Sequence, residues 1–265
     1  MKKHYPVEFV YQLASLLIAV IVVHAVYVTV VRPRADEVLA EQAARMQVEP
    51  DYVPERSVYV IVRDFEQEAC FVLMLWAVAI MAYKGAGTGR QRRLLERELV
   101  PLDEGIKILP EDSLEYARQV QALPASQRRQ LLPRALLAAL HRFGATGNIQ
   151  DVSDTARAVC EAEADRLDSE LSMVRYIAWA IPSIGFIGTV RGIGEALGQA
   201  HKAVEGEIAG VTRSLGVAFN STFIALLISI VLMFLLHQLQ LRQERLVLDT
   251  ETYVDDHLIR RLQIP

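Results

Sequence analysis

The chain has 265 residues, of which 52% are hydrophobic, and its mean hydropathy is +0.22. This is high for a soluble protein and low for a protein made only of spans, so we expect membrane helices joined to a sizeable polar part. The net charge of −4 argues against a nucleic-acid-binding protein, which is usually basic. The two cysteines, Cys70 and Cys160, lack metal-ligand spacing, and we predict no disulfide, metal site or cofactor.

The first apolar stretch, 9–31, contains 23 residues. At about 1.5 Å per residue it is long enough to cross a bilayer core of roughly 30 Å. It is too long for the apolar part of a signal peptide and no cleavage site follows, so we interpret 1–31 as the N-terminus and a retained first span. His24 lies inside this span, where it is either hydrogen-bonded within a helix bundle or part of a proton relay.

The segment 32–68 is polar, with nine acidic residues against five arginines. Prolines are predicted to break it up at three positions: Pro33, Pro50 and Pro54. Three carboxylates crowd its end and are predicted to form a solvated charged face: Asp64, Glu66 and Glu68.

The second apolar run, 69–83, has only 15 residues, which is short for a span. Either its helix extends upstream through the charged residues, or lipid thins around it. A basic cluster follows: Lys84, Arg90, Arg92, Arg93 and Arg97. Since short loops rich in Lys and Arg stay in the cytoplasm, we place this cluster inside together with Lys2 and Lys3, and 32–68 in the periplasm. The cluster either fixes this topology and contacts lipid, or binds a partner.

The segment 84–172 is predicted to be a cytoplasmic helical domain. An amphipathic helix is expected over 131–143, beginning near Pro133 and ended by 144–148. Asp151 or Ser153 is the predicted N-cap of the next helix, which we expect to continue directly into the third span. Its acidic residues are predicted to form a solvated face without a metal site: Glu161, Glu163, Asp165, Asp168 and Glu170.

The third span, 173–197, contains Pro182, Gly185 and Gly188, each of which weakens an isolated helix. In a membrane, neighbouring helices can satisfy freed backbone groups, and small residues let backbones approach closely. The glycines form two steps of small residues four apart: Gly188 with Gly192, and Gly194 with Gly198. The pattern predicts a kinked helix packed tightly against its neighbours.

A short outer connection, 198–213, precedes the fourth span, 214–237, and a cytoplasmic C-terminal helix, 238–265. Thr189 and Thr222 are 33 residues apart, so a helical hairpin places them at similar depth. Ser221 lies on the flank of the same helix face as Thr222. Such faces serve either tight packing or hydrogen bonding to a carboxyl group or a hydrated ion.

Two stretches carry a resemblance: Pro182-x-x-Gly185-x-x-Gly188-Thr189-Val190, and GVAFNSTFIALL at 216–227. They resemble the third and fourth helices of the MotA/TolQ/ExbB group of ion-channel subunits. The four-span layout is similar to MotA, as is Val217, where TolQ and ExbB members carry a glutamate; the Gly-Thr-Val is closer to TolQ and ExbB.

The resemblance implies an all-α membrane protein of four spans with long cytoplasmic helical extensions, assembled as a pentameric ring around a central pore. Thr189, Thr222 and the flanking Ser221 then belong to the ion pathway. It further implies two copies of a single-span MotB-, TolR- or ExbD-like partner with an intramembrane aspartate, and a bacterial inner-membrane location with both termini in the cytoplasm.

Arg191 and Glu195 are predicted to face away from the pore. Spaced i, i+4, they can pair with each other, and Arg191 can also reach the carboxylates at the start of the second span. We interpret them as a structural ion pair, with ion entry as the alternative.

The leading functional prediction is a subunit that couples proton or sodium flow to mechanical work. The alternative is a non-conducting scaffold or signalling ring. An intramembrane enzyme is disfavoured because the spans contain no Ser–His pair, His-Glu-x-x-His helix or paired aspartates.

Overall fold

The computed structural model describes residues 7–49, 52, 55–97, 99–100 and 107–264. The predicted cytoplasmic residues Lys2 and Lys3, and the predicted breaks at Pro50 and Pro54, lie outside the described residues.

The described part of the chain is helical and contains no β-strand. The eleven α-helices of these ranges are, in chain order, α1 Val7–Val26, α2 Arg32–Val48, α3 Val58–Ile61, α4 Phe65–Leu95, α5 Ser113–Gln121, α6 Ala125–Arg128, α7 Leu131–Thr146, α8 Ile149–Glu170, α9 Ser172–Gly198, α10 Ala200–Val204 and α11 Ala209–His257. A π-helical turn, Tyr27–Val31, joins α1 to α2, and a short 3₁₀ turn, Ile259–Arg261, follows α11. The predicted all-α class is confirmed.

Four helical stretches are long and apolar enough to cross a membrane: Glu8–Val48, Phe65–Leu95, Ile149–Gly198 and Ala209–Arg261. The prediction of four candidate spans is confirmed. The second stretch begins upstream of residue 69, at Phe65. Its helix therefore does extend upstream through the charged residues, whereas the thinning of lipid around it stays a prediction.

Pro33 does not break the chain, contrary to the prediction. The helix runs through it to Val48, with the π-helical turn Tyr27–Val31 directly before. Proline lacks an N–H donor and is tolerated at the beginning of an α-helical segment, and a π turn is one way in which a helix absorbs an irregular hydrogen-bond ladder.

The chain divides into two compact units, of which the first comprises Met1–Met81 and Met173–Leu236, and the second Ala82–Ser172 and His237–Pro265. The first contains the apolar parts of all four long helical stretches. Within it, the Trp76 indole N–H donates to the Gln12 carbonyl at 3.0 Å, and the Tyr11 hydroxyl donates to the Ala79 carbonyl at 3.1 Å. These bonds fix α1 against α4.

Large apolar side chains cover the outside of the first unit. Ile21 is 65% exposed, Phe186 64% and Ile230 67%. Continuous apolar surface of this kind is rare on soluble proteins and is normal where lipid covers it.

In the second unit, α7 buries one complete face, with Leu136, Leu140 and Phe143 fully enclosed. The predicted amphipathic helix is therefore present. It ends at Gly147, which has a left-handed backbone with φ of 60°. This is the conformation that glycine adopts most easily at the end of a helix.

The N-cap of α8 is Asn148, and the prediction of Asp151 or Ser153 was wrong. The Asn148 side-chain oxygen accepts a hydrogen bond from the Gln150 N–H at 2.9 Å. Because Asn148 directly follows Gly147, the new helix begins at once, and both predicted caps lie inside it.

The predicted solvated acidic face of α8 was wrong for two residues. Glu163 is 1% exposed and binds Arg134 at 2.9 Å and Arg166 at 2.7 Å. Glu170 binds Lys84 at 2.8 Å. These carboxylates hold the second unit together, because an enclosed charge is stable only when it is paired.

Candidate functional site

The kink proline of α9 has a specific partner on α11. Pro182 has no N–H, so the carbonyl of Ala178, four residues earlier, loses its usual helical hydrogen bond. The Ser229 hydroxyl donates to this carbonyl at 3.3 Å. A side chain of the adjoining helix thus satisfies the group that the proline leaves free, as membrane helices require.

The glycines of α9 bring its backbone into close contact with α11. A Cβ atom added at Gly188 would lie 2.5 Å from the Ser221 Cβ, and one at Gly192 would lie 2.8 Å from the Ala218 Cβ. A Cβ at Gly185 would likewise collide with Ala225. Glycine at these positions is therefore a steric requirement of the helix pair.

The second predicted glycine step has a different environment. Added Cβ atoms at Gly194 and Gly198 meet no other atom within 4 Å in the described part of the molecule. These two glycines do not support the α9–α11 contact, so of the two steps only the first, together with Gly185, packs against α11.

Thr189 and Thr222 meet at this contact. Their Oγ1 atoms are within hydrogen-bond contact of each other. The Thr189 hydroxyl also reaches the Ala218 carbonyl at 3.1 Å, and the Thr222 hydroxyl reaches the Gly185 carbonyl at 3.1 Å. The hairpin spacing thus brings the two hydroxyls to one depth, and both side chains remain only half-buried.

The chemistry of this pair follows from counting protons. Each hydroxyl has one proton to donate and two lone pairs to accept with. The Thr189 proton can reach the Ala218 carbonyl, and the Thr222 proton can reach the Gly185 carbonyl. Lone pairs then remain free on the two hydroxyl oxygens. The half-exposed edge of the pair is thus better suited to accept from an O–H donor or to coordinate a cation than to solvate an anion.

Ser221 is more completely buried than the two threonines. It is 1% exposed, its hydroxyl donates to the Val217 carbonyl at 2.9 Å, and it accepts from the Gln67 amide at 3.4 Å. Gln67 is fully buried, and its Oε1 has no hydrogen-bond partner among the described residues. The sequence reasoning missed Gln67; the available signal was an uncharged polar residue between two glutamates at the start of an apolar helix.

Arg191 connects three helical positions. Its guanidinium forms two bonds with the Glu66 carboxylate, at 2.7 and 2.9 Å, and one with Glu195 at 3.0 Å. The Glu66 side chain is 12% exposed, so the prediction that it belongs to a solvated face was wrong. The two-pronged geometry ties α4 to α9, since planar guanidinium and carboxylate groups match each other.

His24 and Glu68 form a second polar contact inside the first unit. The His24 Nδ1 lies 2.7 Å from one Glu68 oxygen, and Arg32 contacts the other at 2.5 Å. The Glu68 side chain is 11% exposed, and Arg32 also stacks over the Phe65 ring at 4.5 Å. Glu68 is therefore paired and not solvated, and His24 is hydrogen-bonded within the bundle; the relay alternative stays a prediction.

Asp64, the third carboxylate, precedes α4. Burial raises the pKa of Asp64 above its usual value, although Arg63 and Arg191 act in the opposite direction. Among the residues that the structure describes, no group of three or more His, Cys, Asp or Glu side chains is arranged to hold a metal ion.

Residues 127–252 match the sequence model of the MotA/TolQ/ExbB proton channel family. No curated protein matches the chain. The matched range includes the whole α9–α11 contact with its two threonines and the kink proline. The resemblance predicted from the two short motifs is thereby confirmed.

Proposed function

We propose that this chain, whose residues 127–252 belong to the MotA/TolQ/ExbB proton channel family, is the ring-forming subunit of an ion-driven membrane motor. The family domain and the four apolar helical stretches make it a multi-pass membrane protein with an ion-channel role. Members of this family are channel-type proteins and not enzymes. The observation that carries the motor proposal is the half-exposed pair of hydroxyls, Thr189 and Thr222, on two tightly packed helices.

In the proposed assembly, five copies surround a central pore that α9 and α11 line. The side chain of Asn220 is an argument for a neighbouring copy. It lies within the fourth span and is half-buried, yet its amide has no hydrogen bond in the described part of the chain. A bare amide is costly in a bilayer, so a contact with a second copy would stabilise it.

The proposed partner is a single-span protein, present in two copies, that brings an aspartate to the threonine pair. A protonated carboxyl can donate its O–H to the free lone pairs of Thr189 or Thr222. An ionised carboxylate needs donors, and both hydroxyl protons have backbone carbonyls within reach. Neutralisation by H⁺, or by a bound Na⁺, would therefore change which packing is favoured.

The driving energy would come from the membrane potential, which contributes about 2.3 kcal/mol per elementary charge for every 100 mV. We place the protein in a bacterial inner membrane with both termini in the cytoplasm. The basic residues after the second span support this orientation, because Lys and Arg concentrate on the cytoplasmic side.

The same hydroxyl contacts also favour a second candidate, a scaffold ring that conducts nothing. Thr189 and Thr222 bond to backbone carbonyls within their own copy, which is what a packing role alone would require. Ion flux therefore has to distinguish the two functions.

The test starts from the full chain, purified from its native membrane together with any co-purifying single-span protein. Native mass spectrometry is expected to give five copies of this chain and two of the partner. In vesicles, a pH-sensitive dye should report proton uptake, or a sodium-sensitive dye sodium uptake, under an applied potential. Thr189→Val and Thr222→Val should each abolish flux without dissociating the ring.

Thr29→Val is the matched control, because the Thr29 hydroxyl is exposed and, among the described residues, bonds only to the Ala25 carbonyl of its own helical stretch at 2.7 Å. Its flux should equal that of the unmodified chain. A monomer in the mass spectrum would refute the ring. An intact assembly without flux of either ion would refute the motor and support the scaffold.

A further inference from the structure

A cleft of about 460 Å³ in the second unit is lined by arginines. Arg90 and Arg93 lie one turn apart on the last part of α4, and Arg97 follows in the turn after the helix. The opposite wall consists of neutral polar residues around α6: Ser126, Gln127 and Gln130. Every charged side chain that lines the cleft, within the described residues, is therefore positive.

These arginines differ from others of the second unit. Arg134 and Arg166 bind Glu163, and Arg157 binds Glu161 at 3.0 Å. The three cleft arginines form no ion pair with a carboxylate in the ranges that the structure describes. Like charges that line one cleft repel, so an anion that enters the cleft would relieve the repulsion.

The neutral wall adds hydrogen-bonding capacity. Ser126 carries a hydroxyl, and Gln127 and Gln130 carry side-chain amides. The Gln130 Oε1 is buried and has no partner among the described residues. Such an atom is costly to leave bare and is often satisfied by a bound molecule or by water. As an acceptor it can take a hydrogen bond from water or from the O–H of a protonated phosphate, whereas the amide NH₂ groups are the donors for an anionic oxygen.

We infer that this cleft binds a phosphate-bearing anion. The forked guanidinium groups match the tetrahedral oxygens of phosphate, and neutral amide and hydroxyl groups complete such sites. The volume lies within the usual range of roughly 300–1,000 Å³ for small-molecule sites. Both an anionic lipid headgroup and a free phosphate compound have this chemistry. The inference is independent of the motor proposal.

The experiment uses the full chain with two variants of equal charge change. The cleft variant carries three substitutions: Arg90→Gln, Arg93→Gln and Arg97→Gln. The control variant removes three exposed arginines elsewhere in the second unit: Arg118→Gln, Arg142→Gln and Arg157→Gln. Binding of inorganic pyrophosphate is measured by equilibrium dialysis in detergent. Retention of phosphatidylglycerol is measured by lipid extraction after purification from vesicles of phosphatidylcholine with phosphatidylglycerol.

The cleft variant should lose at least about tenfold in affinity for one of the two probes, since a hydrogen bond to a charged group contributes about 1.5–3 kcal/mol. The control should bind like the unmodified chain. A loss confined to pyrophosphate identifies a free phosphate compound, and a loss confined to phosphatidylglycerol identifies a headgroup.

Equal binding of both probes by the two variants would overturn the inference, because binding would then follow net charge alone. Absence of binding to the unmodified chain would overturn it as well. If the triple variant does not fold, the single substitutions Arg93→Gln and Arg142→Gln give the same comparison.

Discussion

The bond between Ser229 and the Ala178 carbonyl exists because of Pro182, and this dependence can be measured. Replacing Ser229 by Ala leaves the carbonyl without a hydrogen-bond donor among the described residues of the first unit. A neutral hydrogen bond contributes about 0.5–1.5 kcal/mol, and side-chain bonds between membrane helices average about 0.6 kcal/mol with a maximum near 1.7. Because a carbonyl is left bare, we expect Ser229→Ala to lower the free energy of unfolding by about 1–1.5 kcal/mol.

The same substitution should have little effect once the proline is gone. In the Pro182→Ala background, residue 182 regains an N–H that can donate to the Ala178 carbonyl along the helix. Ser229→Ala should then lower the free energy of unfolding by at most about 0.3 kcal/mol. The two positions should therefore be coupled by about 1 kcal/mol through the Ala178 carbonyl.

The unmodified chain, the two single variants Ser229→Ala and Pro182→Ala, and the double variant form a double-mutant cycle. Their stabilities can be compared by reversible unfolding in mixed micelles with increasing sodium dodecyl sulfate. Ser183→Ala is the matched control, because within the part of the chain that the structure describes the Ser183 hydroxyl donates only to the Trp179 carbonyl of its own helix, at 3.1 Å. It should change the free energy of unfolding by less than about 0.5 kcal/mol. If Ser229→Ala were equally destabilising in both backgrounds, the assigned role of the proline would be wrong.

Three further predictions concern packing, charge and thiol chemistry. Gly188→Ala should lower the free energy of unfolding by about 1–3 kcal/mol through overpacking, whereas Gly194→Ala, which enters open space, should not; equal effects would contradict the assigned packing face. Glu66→Gln should destabilise by about 1–3 kcal/mol and Glu195→Gln by less than about 0.5, since only the first loses an enclosed two-pronged ion pair; a larger effect of the second would reverse this assignment. Burial, followed by nearby acidic groups, raises the pKa of Cys160 from 9.0 to about 11. In a Cys70→Ser chain at pH 8, maleimide should therefore label the Cys160 thiol only after denaturation, and fast labelling of the native protein would show that the site is open. The stability that the neutral thiol contributes should be lost as the pH rises from about 9 to about 11.

Parts of the candidate site could be read from sequence because they depend on local spacing. The 33-residue interval between Thr189 and Thr222 places both hydroxyls on neighbouring arms of a hairpin, and the structure brings them into contact. The i, i+4 spacing of Arg191 and Glu195 likewise gives a contact within one helix. Helix geometry alone decides the contact within one helix, whereas for the threonines it decides only which faces and depths they share; the packing of α9 on α11 makes the contact.

The ion-pair partners of the carboxylates were harder to predict, because those partners are distant in sequence. Glu66 and Arg191 are 125 residues apart, and Glu68 and Arg32 are 36 apart. A charged residue in a polar stretch is solvated unless the fold brings an opposite charge to it, and the sequence contains no local sign of that event. Glu163 was misjudged for the same reason.

From the residues alone it was possible to predict the number of apolar helical stretches, the position of the kink proline and the resemblance of two motifs to the MotA/TolQ/ExbB family. Bilayer thickness, helix rise and missing N–H groups are local constraints, so the first two leave a direct pattern in the sequence. Which carbonyl, glycine and carboxylate has which partner became visible only in the folded chain. Those pairings depend on how helices from distant parts of the chain approach one another, and close packing selects a single arrangement among many that the same apolar pattern would allow.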